Sequence, residues 1–363
     1  MVSRPLSVAL IATVLNEQPQ LATWLAALDA QTRVPDEIVI IDGGSVDGTW
    51  KCLQDWASRS GAVVRRCPGA GIPEGRNLAI SLVTSEIVAV TDAGTRADPR
   101  WLTKLVAAFE GGDVDVASGF FQPELTDRWS RALAAATLPD VGDIDPGRFQ
   151  PSSRSLAFRR SWWEAGLRYP EWLDYCEDLV WDFAMRRAGA RFCFVPTATV
   201  EFTVRPSPRE FAVQYYRYAR GDGKAGLFPR RHLLRYATYG GAAAVVALRH
   251  RGALFVAGGL GVAYIWSSTR RLWRRDRARG VPRRETVALF PLVAALRAIG
   301  DIAKMIGYPA GLLWRIRRFG GLGWRTSWQR ISPAGVVWSP AELTRGSRPP
   351  TSLPDDGSRA ARQ

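Results

Sequence analysis

Three short apolar runs near the start of the chain each end at an acidic group, and helical stretches separate them. Ser7 to Val14 reads as a strand that closes on Leu15-Asn16-Glu17, Asp36 to Asp42 (DEIVIID) as a second, and Ile87 to Thr91 as a third that stops at Asp92. Leu21 to Leu28, Thr49 to Ala57, Glu74 to Val83 and Arg100 to Glu110 carry helical patterning, and AVVRRC adds one more short strand. Strands alternating with helices predict an α/β unit whose parallel sheet is covered on both faces. In such sheets ligands bind beyond the carboxyl ends of the strands. A lone carboxylate there is most often a cap or a turn residue. Capping does not require three of them along one rim.

Residue usage narrows the chemistry. The two histidines, His232 and His250, lie late in the chain, and residues 1–226 hold none. That excludes Ser-His-Asp, Cys-His and His-rich metal sites from the first unit, so a base there would be a carboxylate. Cys52, Cys67, Cys176 and Cys193 are scattered without a C-x-x-C pair, which argues against a disulfide framework or structural zinc and suggests a reducing compartment. The turn after the first strand, TVLNEQPQ, has no glycine, so a dinucleotide fingerprint is absent, as is a phosphate-binding G-x-x-x-x-G-K-[ST] loop. The apolar SVALIATVL runs straight into Asn16 and Glu17 and reads as a first strand rather than a leader.

From Asp113 to Phe158 the pattern loosens into a strand, a helix near Trp129 to Ala136, and a loop broken by Pro139, Gly142, Pro146, Gly147 and Pro151. Loops of that length in a compact domain often act as lids or binding loops. A helix beginning near Glu177 puts Glu177 and Asp178 in its first turn, where the helix dipole favours an ionised carboxylate. That placement suits proton acceptance and plain helix stabilisation equally. In QYYRYARGDGKAG, Arg217, Arg220 and Lys224 stand among tyrosines and glycines, a pattern open to phosphate contact or to a solvated turn.

Taken in order, TVLNE, EIVIIDGGSVDGT, GIPEGRNLAI, VAVTDAG, CEDLVWDFAMRRAG and QYYRYARGDG resemble the family 2 glycosyltransferases of the GT-A fold, in their membrane-associated bacterial form. The resemblance covers roughly residues 5–226. It implies a Rossmann-like GT-A sandwich and an inverting hexosyltransferase that uses a nucleoside-diphosphate sugar, with a uridine-linked donor expected. Glu17 and Asp42 would contact the nucleoside, with Arg76 and Asn77 beside it. Asp92 would lie at the metal and ribose, Asp178 would deprotonate the acceptor hydroxyl next to Glu177, and Arg217 and Arg220 would steady the diphosphate. A divalent cation, Mn or Mg, is implied. Two departures stand out: Asp92-Ala93-Gly94 lacks the second acid of Asp-x-Asp, and Tyr218 replaces the usual tryptophan. A polyprenyl-phosphate glycosyl synthase is an alternative, for which Arg186 and Arg187 are weak phosphate-binding candidates. A degenerate nucleotide-sugar-binding assembly partner is another.

Charge divides the chain. Residues 1–226 hold 25 Lys+Arg against 28 Asp+Glu, and residues 227–363 hold 24 against 6, so a net of −3 precedes a net of +18. Beyond residue 226 come two apolar runs, LLRYATYGGAAAVVAL and GALFVAGGLGVAYIWSS, followed by eight arginines from Arg270 to Arg284. The runs read either as two short spans in a hairpin or as one re-entrant or interfacial element. Ala288 to Arg318 reads as an amphipathic helix lying in an interface. Tryptophans 266, 273, 314, 324 and 328 near arginines favour a membrane surface over nucleic acid. The expected organisation is a catalytic domain at 1–226, a membrane-associated helical region at 227–335 and a disordered tail at 336–363. The expected location is the cytoplasmic face of a membrane, and the expected acceptor is a lipid-linked or surface glycan.

Overall fold

The computed structural model describes residues 5–248 and 251–319. Strands β1 (Val8–Val14), β2 (Glu37–Asp42), β3 (Val63–Arg66) and β4 (Ile87–Val90) pair in parallel in the order β3-β2-β1-β4. The central strand β1 has Leu10 opposite both Ile38 and Ala89 and is buried along almost its whole length. Continuous apolar sequence is what a strand covered on both faces requires. One cover is α1 (Gln18–Asp29), α2 (Thr49–Ser60) and α4 (Trp101–Ala107), which bury Leu21, Trp24, Leu53, Trp56, Trp101 and Leu105. The other is α3 (Ile72–Ser81), α6 (Arg160–Glu164) and α7 (Glu177–Arg187), which bury Ile80, Trp163, Trp181 and Met185.

The sheet does not stay parallel. Beyond β4 it continues through β7 (Leu156–Arg159), β6 (Val116–Pro123), β8 (Phe192–Phe202) and β5 (Thr95–Ala97), with β7 antiparallel to both β4 and β6 and β5 antiparallel to β8. Helices still separate β5, β6, β7 and β8, and β6 and β8 pair in parallel, but β7 enters the sheet antiparallel to both its neighbours. The sheet is therefore mixed, and its parallel half carries the acidic rim.

The C-terminal helices join this body. After α5 (Arg128–Thr137) and α8 (Pro208–Ala225) come α9 (Pro229–Leu248), α10 (Arg251–Ala278), α11 (Arg283–Ala288) and α12 (Phe290–Phe319). Helix α12 runs against α8 at backbone contact distance. A Cβ on Gly307 would lie 2.2 Å from the Tyr216 carbonyl oxygen, and one on Gly311 would lie 2.1 Å from that of Arg220. The face of α12 that carries Val293, Leu296, Ala303 and Tyr308 is buried, while Ile302, Ile306, Leu313 and Ile316 are exposed. So one side of the amphipathic segment expected at an interface is spent on α8 and α5.

The arginines after α10's apolar part are also largely spent. Arg271 donates to the Ala135 carbonyl, Arg274 to Asp140 and Asp143, Arg275 to Asp140, and Arg279 to the Leu125 carbonyl. They clamp α10 onto the first domain. Arg131 and Asp276 form a buried ion pair in the same seam. Exposed apolar side chains concentrate on α9 and on the first part of α10, among them Leu233, Leu234, Val246, Phe255, Leu260 and Trp266. One stretch among the described residues, Arg283–Phe319, is long and apolar enough to cross a membrane; an 18-residue window within it has mean hydropathy 1.7, and 39% of that window is buried inside the fold. The tail expected to be disordered, 336–363, and Trp324 and Trp328 lie outside the described residues.

Candidate active site

Two turns at the ends of neighbouring strands interlock. Asn16, in the left-handed region at φ 55, receives a hydrogen bond at its side-chain oxygen from the Val46 N–H, and its own N–H donates to Ser45 Oγ. The Glu17 N–H donates to Thr49 Oγ1 at 2.9 Å. These bonds set the backbone of Glu17 at the head of α1. Asp42, at the end of β2, is fully buried; it accepts from the Ser45 N–H at 3.2 Å and from Ser45 Oγ, and Arg66 approaches to 3.4 Å. Its carboxylate therefore holds its own turn.

The centre of the site is Arg76. Glycine at 75 lets the start of α3 sit against β1, where a Cβ would meet Thr13 Cγ2 at 2.6 Å. The Arg76 side chain, 3% exposed, donates from one nitrogen to Asp92 Oδ1 at 2.9 Å and from the other to Glu177 Oε1 at 2.8 Å, and it lies over the Tyr169 ring. Burial alone would favour the neutral guanidine, but Asp92 and Glu177 more than offset it and hold the arginine charged. One fork thus ties the end of β4 to the start of α7, residues far apart in sequence.

Helix α7 starts under backbone strain. Its N-cap, Cys176, is left-handed at φ 66, and its Sγ lies 3.4 Å from the Tyr218 carbonyl oxygen. Gly221 of α8 permits this, because a Cβ there would meet the Tyr175 oxygen at 2.6 Å. Burial, and next the Asp178 carboxylate, push Glu177 up to about 7 against the pull of Arg76. Asp178 is half-buried, and the Leu179 N–H donates to its Oδ1 at 2.8 Å. One turn further on, the buried Asp182 accepts no hydrogen bond at either oxygen among the described residues, and burial drives its carboxyl well above the usual range.

Other expected residues are placed differently. Asn77 spends its amide on the 163–171 segment: it donates to the Tyr169 carbonyl and to Glu171, and it accepts from Trp163 Nε1 and the Tyr169 N–H. It is buried and positions Tyr169, and through it Arg76, rather than facing the open rim. Arg220 pairs with Asp174, which Lys224 also holds, so these cations brace the loop ahead of α7. Arg217 is exposed and donates to the Tyr175 hydroxyl at 3.0 Å. Arg186 donates to the Phe149 carbonyl and stacks on Phe192, which removes it as a phosphate ligand.

One residue at the centre went unseen in the sequence. Arg154 reaches within 3.7 Å of Asp92 Oδ2, packs over the Phe202 ring at 4.8 Å, and lies in the field of Tyr218 and Asp178. It stands in an irregular loop before β7, and only the antiparallel entry of β7 beside β4 brings it to Asp92. No periodicity or motif marks it.

Around Gly94 the donors are oxygens. A Cβ there would lie 2.6 Å from Gln20 Oε1 and 3.3 Å from Glu17 Oε2, so these side chains fill the space a second acid of Asp-x-Asp would occupy. Burial pushes the Glu17 carboxyl up; Arg205 opposes this, while Asp92 and Asp47 add to it. Among the described residues no group of three His, Cys, Asp or Glu forms a complete metal cage. Carboxylate and amide oxygens beside a diphosphate suit Mg²⁺ or Mn²⁺, which commonly take only one or two protein carboxylates.

Known proteins resemble this chain in sequence and in fold. Residues 9–165 match the family model described as glycosyl transferase family 2. A dolichol-phosphate mannosyltransferase of Pyrococcus furiosus is 25% identical over 155 residues, which are 39% of this chain and 44% of that protein. The chain therefore spans less than half the length of that curated relative. The solved structure of the mannosyltransferase PcManGT from Pyrobaculum calidifontis, in complex with GDP-Man and Mn²⁺, superposes with a TM-score of 0.50 at 19% identity, covering 86% of this chain and 88% of that one. S. aureus TarS 1–349 in complex with UDP-GlcNAc gives 0.48 at 16% identity, covering 84% and 91%. The fold is that of the GT-A glycosyltransferases.

Proposed function

Because residues 9–165 give this chain a glycosyl transferase family 2 domain, we propose that it is an inverting enzyme that moves a sugar from a nucleoside-diphosphate donor to a hydroxyl of a lipid-linked or surface glycan. The observation that carries this reading is the Arg76 fork, which links Asp92 to Glu177 at the head of α7, next to Asp178. Asp178 accepts the acceptor's proton as its oxygen attacks the anomeric carbon. Glu17 borders the nucleoside, and Asp42 holds the turn beside it. Arg76 holds Asp92 and α7 in place, and Arg154 and Arg217 supply positive charge where the diphosphate departs. A bound Mn²⁺ or Mg²⁺ would neutralise that leaving group; Asp92 with the oxygens around Gly94 would hold it. The donor is a uridine-linked sugar, with a guanosine-linked one the alternative suggested by the GDP-Man bound to PcManGT.

The catalytic unit ends at residue 226, where α8 closes on Gly226, and the helices after it serve as a membrane-facing region. The apolar surface of α9 and α10, bordered by Arg230 and Arg231, supports contact with the cytoplasmic leaflet. A polyprenyl-phosphate acceptor is a second reading. It is favoured by the match to a dolichol-phosphate mannosyltransferase and by Arg154, a cation beside Asp92.

The test is release of nucleoside diphosphate by detergent-extracted protein offered a panel of nucleotide sugars with Mn²⁺, Mg²⁺ or chelator, with hydroxyl and polyprenyl-phosphate acceptors in parallel. Loss of turnover by about 10²–10⁴-fold in Asp178→Asn, with donor binding retained, is the expected result. Full activity in that variant would overturn the assignment. Donor binding without turnover on any acceptor would point to a non-catalytic assembly partner.

A further inference from the structure

The strand that carries Asp92 has a glycine where a second carboxylate would complete Asp-x-Asp, and the geometry points to Glu17 as its replacement, a carboxylate delivered from the end of β1 to the same divalent cation, with the Gln20 amide oxygen beside it. The inference rests on the cation-dependent reading above and gives Glu17 a task other than nucleoside contact.

Three observations support it. First, the space is filled by ligand atoms: a Cβ at position 94 would fall 2.6 Å from Gln20 Oε1 and 3.3 Å from Glu17 Oε2. Second, those oxygens are unspent. Among the described residues no hydrogen bond is donated to the Glu17 carboxylate or to the Gln20 amide oxygen, whereas Asp42 is closed by Ser45 and Asn77 by the 163–171 segment. Third, the backbone of Glu17 is held by the Glu17 N–H bond to Thr49 and by the Asn16–Ser45–Val46 interlock, so the carboxylate is carried on a fixed base. Oxygen ligands from two strand ends, completed by diphosphate oxygens and water, meet the preference of a hard cation without an all-protein cage.

The arrangement also explains the glycine. Gly94 has φ +79, a region L side chains avoid, and any side chain there would meet Gln20. The backbone conformation thus calls for glycine, and an aspartate at 94 would strain it and push the Gln20 side chain aside.

The test uses the full chain in detergent, with free Mn²⁺ followed by electron paramagnetic resonance in the presence of UDP or GDP, and metal-free nucleotide affinity followed by calorimetry. Glu17→Gln should weaken Mn²⁺ retention by about tenfold or more, as Asp92→Asn should, with melting temperature close to wild type and any loss of metal-free nucleotide affinity smaller than the loss of Mn²⁺ retention. Glu17→Asp should recover part of the loss. Gly94→Asp, although it restores Asp-x-Asp in sequence, should hold Mn²⁺ more weakly than wild type. Wild-type Mn²⁺ retention in Glu17→Gln, or tighter retention in Gly94→Asp, would overturn this inference alone. Nucleotide binding with no Mn²⁺ retained by the wild type would overturn it together with the cation-dependent reading.

Discussion

Replacing Gly311 by alanine in α12 should destabilise the protein, against the helix propensity of the substitution. In an isolated helix interior, alanine is favoured over glycine by about 1 kcal/mol. Here the added Cβ would sit 2.1 Å from the Arg220 carbonyl oxygen, 2.8 Å from the Lys224 nitrogen and 2.9 Å from the Gly223 Cα. All three are backbone atoms of α8, so no side-chain rotation relieves them, and the helices must move apart. Overpacking of that kind costs about 1–3 kcal/mol, and rigid backbone neighbours place this site at the upper end. The net expectation is a loss of about 1–2 kcal/mol after the propensity gain. Gly258→Ala and Gly259→Ala in α10 are the matched controls, since a Cβ at either meets nothing within 4 Å. They should stabilise by about 0.5–1 kcal/mol. Chemical or thermal unfolding of the three variants reads the sign directly. Turnover should also fall in Gly311→Ala, because α8 braces the loop before α7 through Arg220 and Lys224 on Asp174. A rise in unfolding midpoint for Gly311→Ala equal to that of the α10 controls would refute backbone contact between α8 and α12.

Other expectations follow from the buried charges. Arg76→Met leaves Glu177 and Asp92 without their shared cation and should cost about 3–5 kcal/mol by denaturant unfolding and abolish donor turnover. Glu177, raised from 4.5 to about 7, binds its proton more tightly folded than unfolded, so its contribution is fully present below pH 4.5 and is lost as pH rises through 7. Unfolding midpoints measured across that window should decline, and Glu177→Gln should flatten the decline. Asp276→Asn breaks the bond pattern from Arg131 and Thr286 and should cost about 3 kcal/mol. Asp182→Asn, at a carboxyl whose charged form burial disfavours and which accepts no hydrogen bond among the described residues, should stay within about 1 kcal/mol of wild type by the same assay.

The parallel half of the sheet was legible because local signals carry it. Strands such as DEIVIID are apolar on both faces, and the helices between them show their own periodicity. The same locality made Asp42, Asp92, Glu177 and Asp178 visible, since each sits at a strand end or a helix start. Asn77 shows the limit of that approach: it stands beside Arg76 in sequence, yet its amide is consumed by Tyr169 and Glu171, more than 90 residues away. Arg154 shows the converse, a loop residue with no pattern that reaches Asp92 because β7 enters beside β4. The arginines of α10 looked like a basic flank, but the acids Asp140 and Asp143 take two of them, Arg274 and Arg275.

By itself, then, the amino-acid sequence determined the strand–helix order, the carboxylates along one rim, the absence of histidine from residues 1–226, and the division between a near-neutral and a basic half. Those properties depend on residue type and short-range periodicity. Only the tertiary structure decided which charges meet: that Arg76 joins Asp92 to Glu177, that Glu17 and Gln20 fill the space beside Gly94, and that α12 is seated on α8 through glycine. Ion pairing and close packing act over a few ångströms between residues far apart in the chain, so they exist only once the sheet order has brought those residues together.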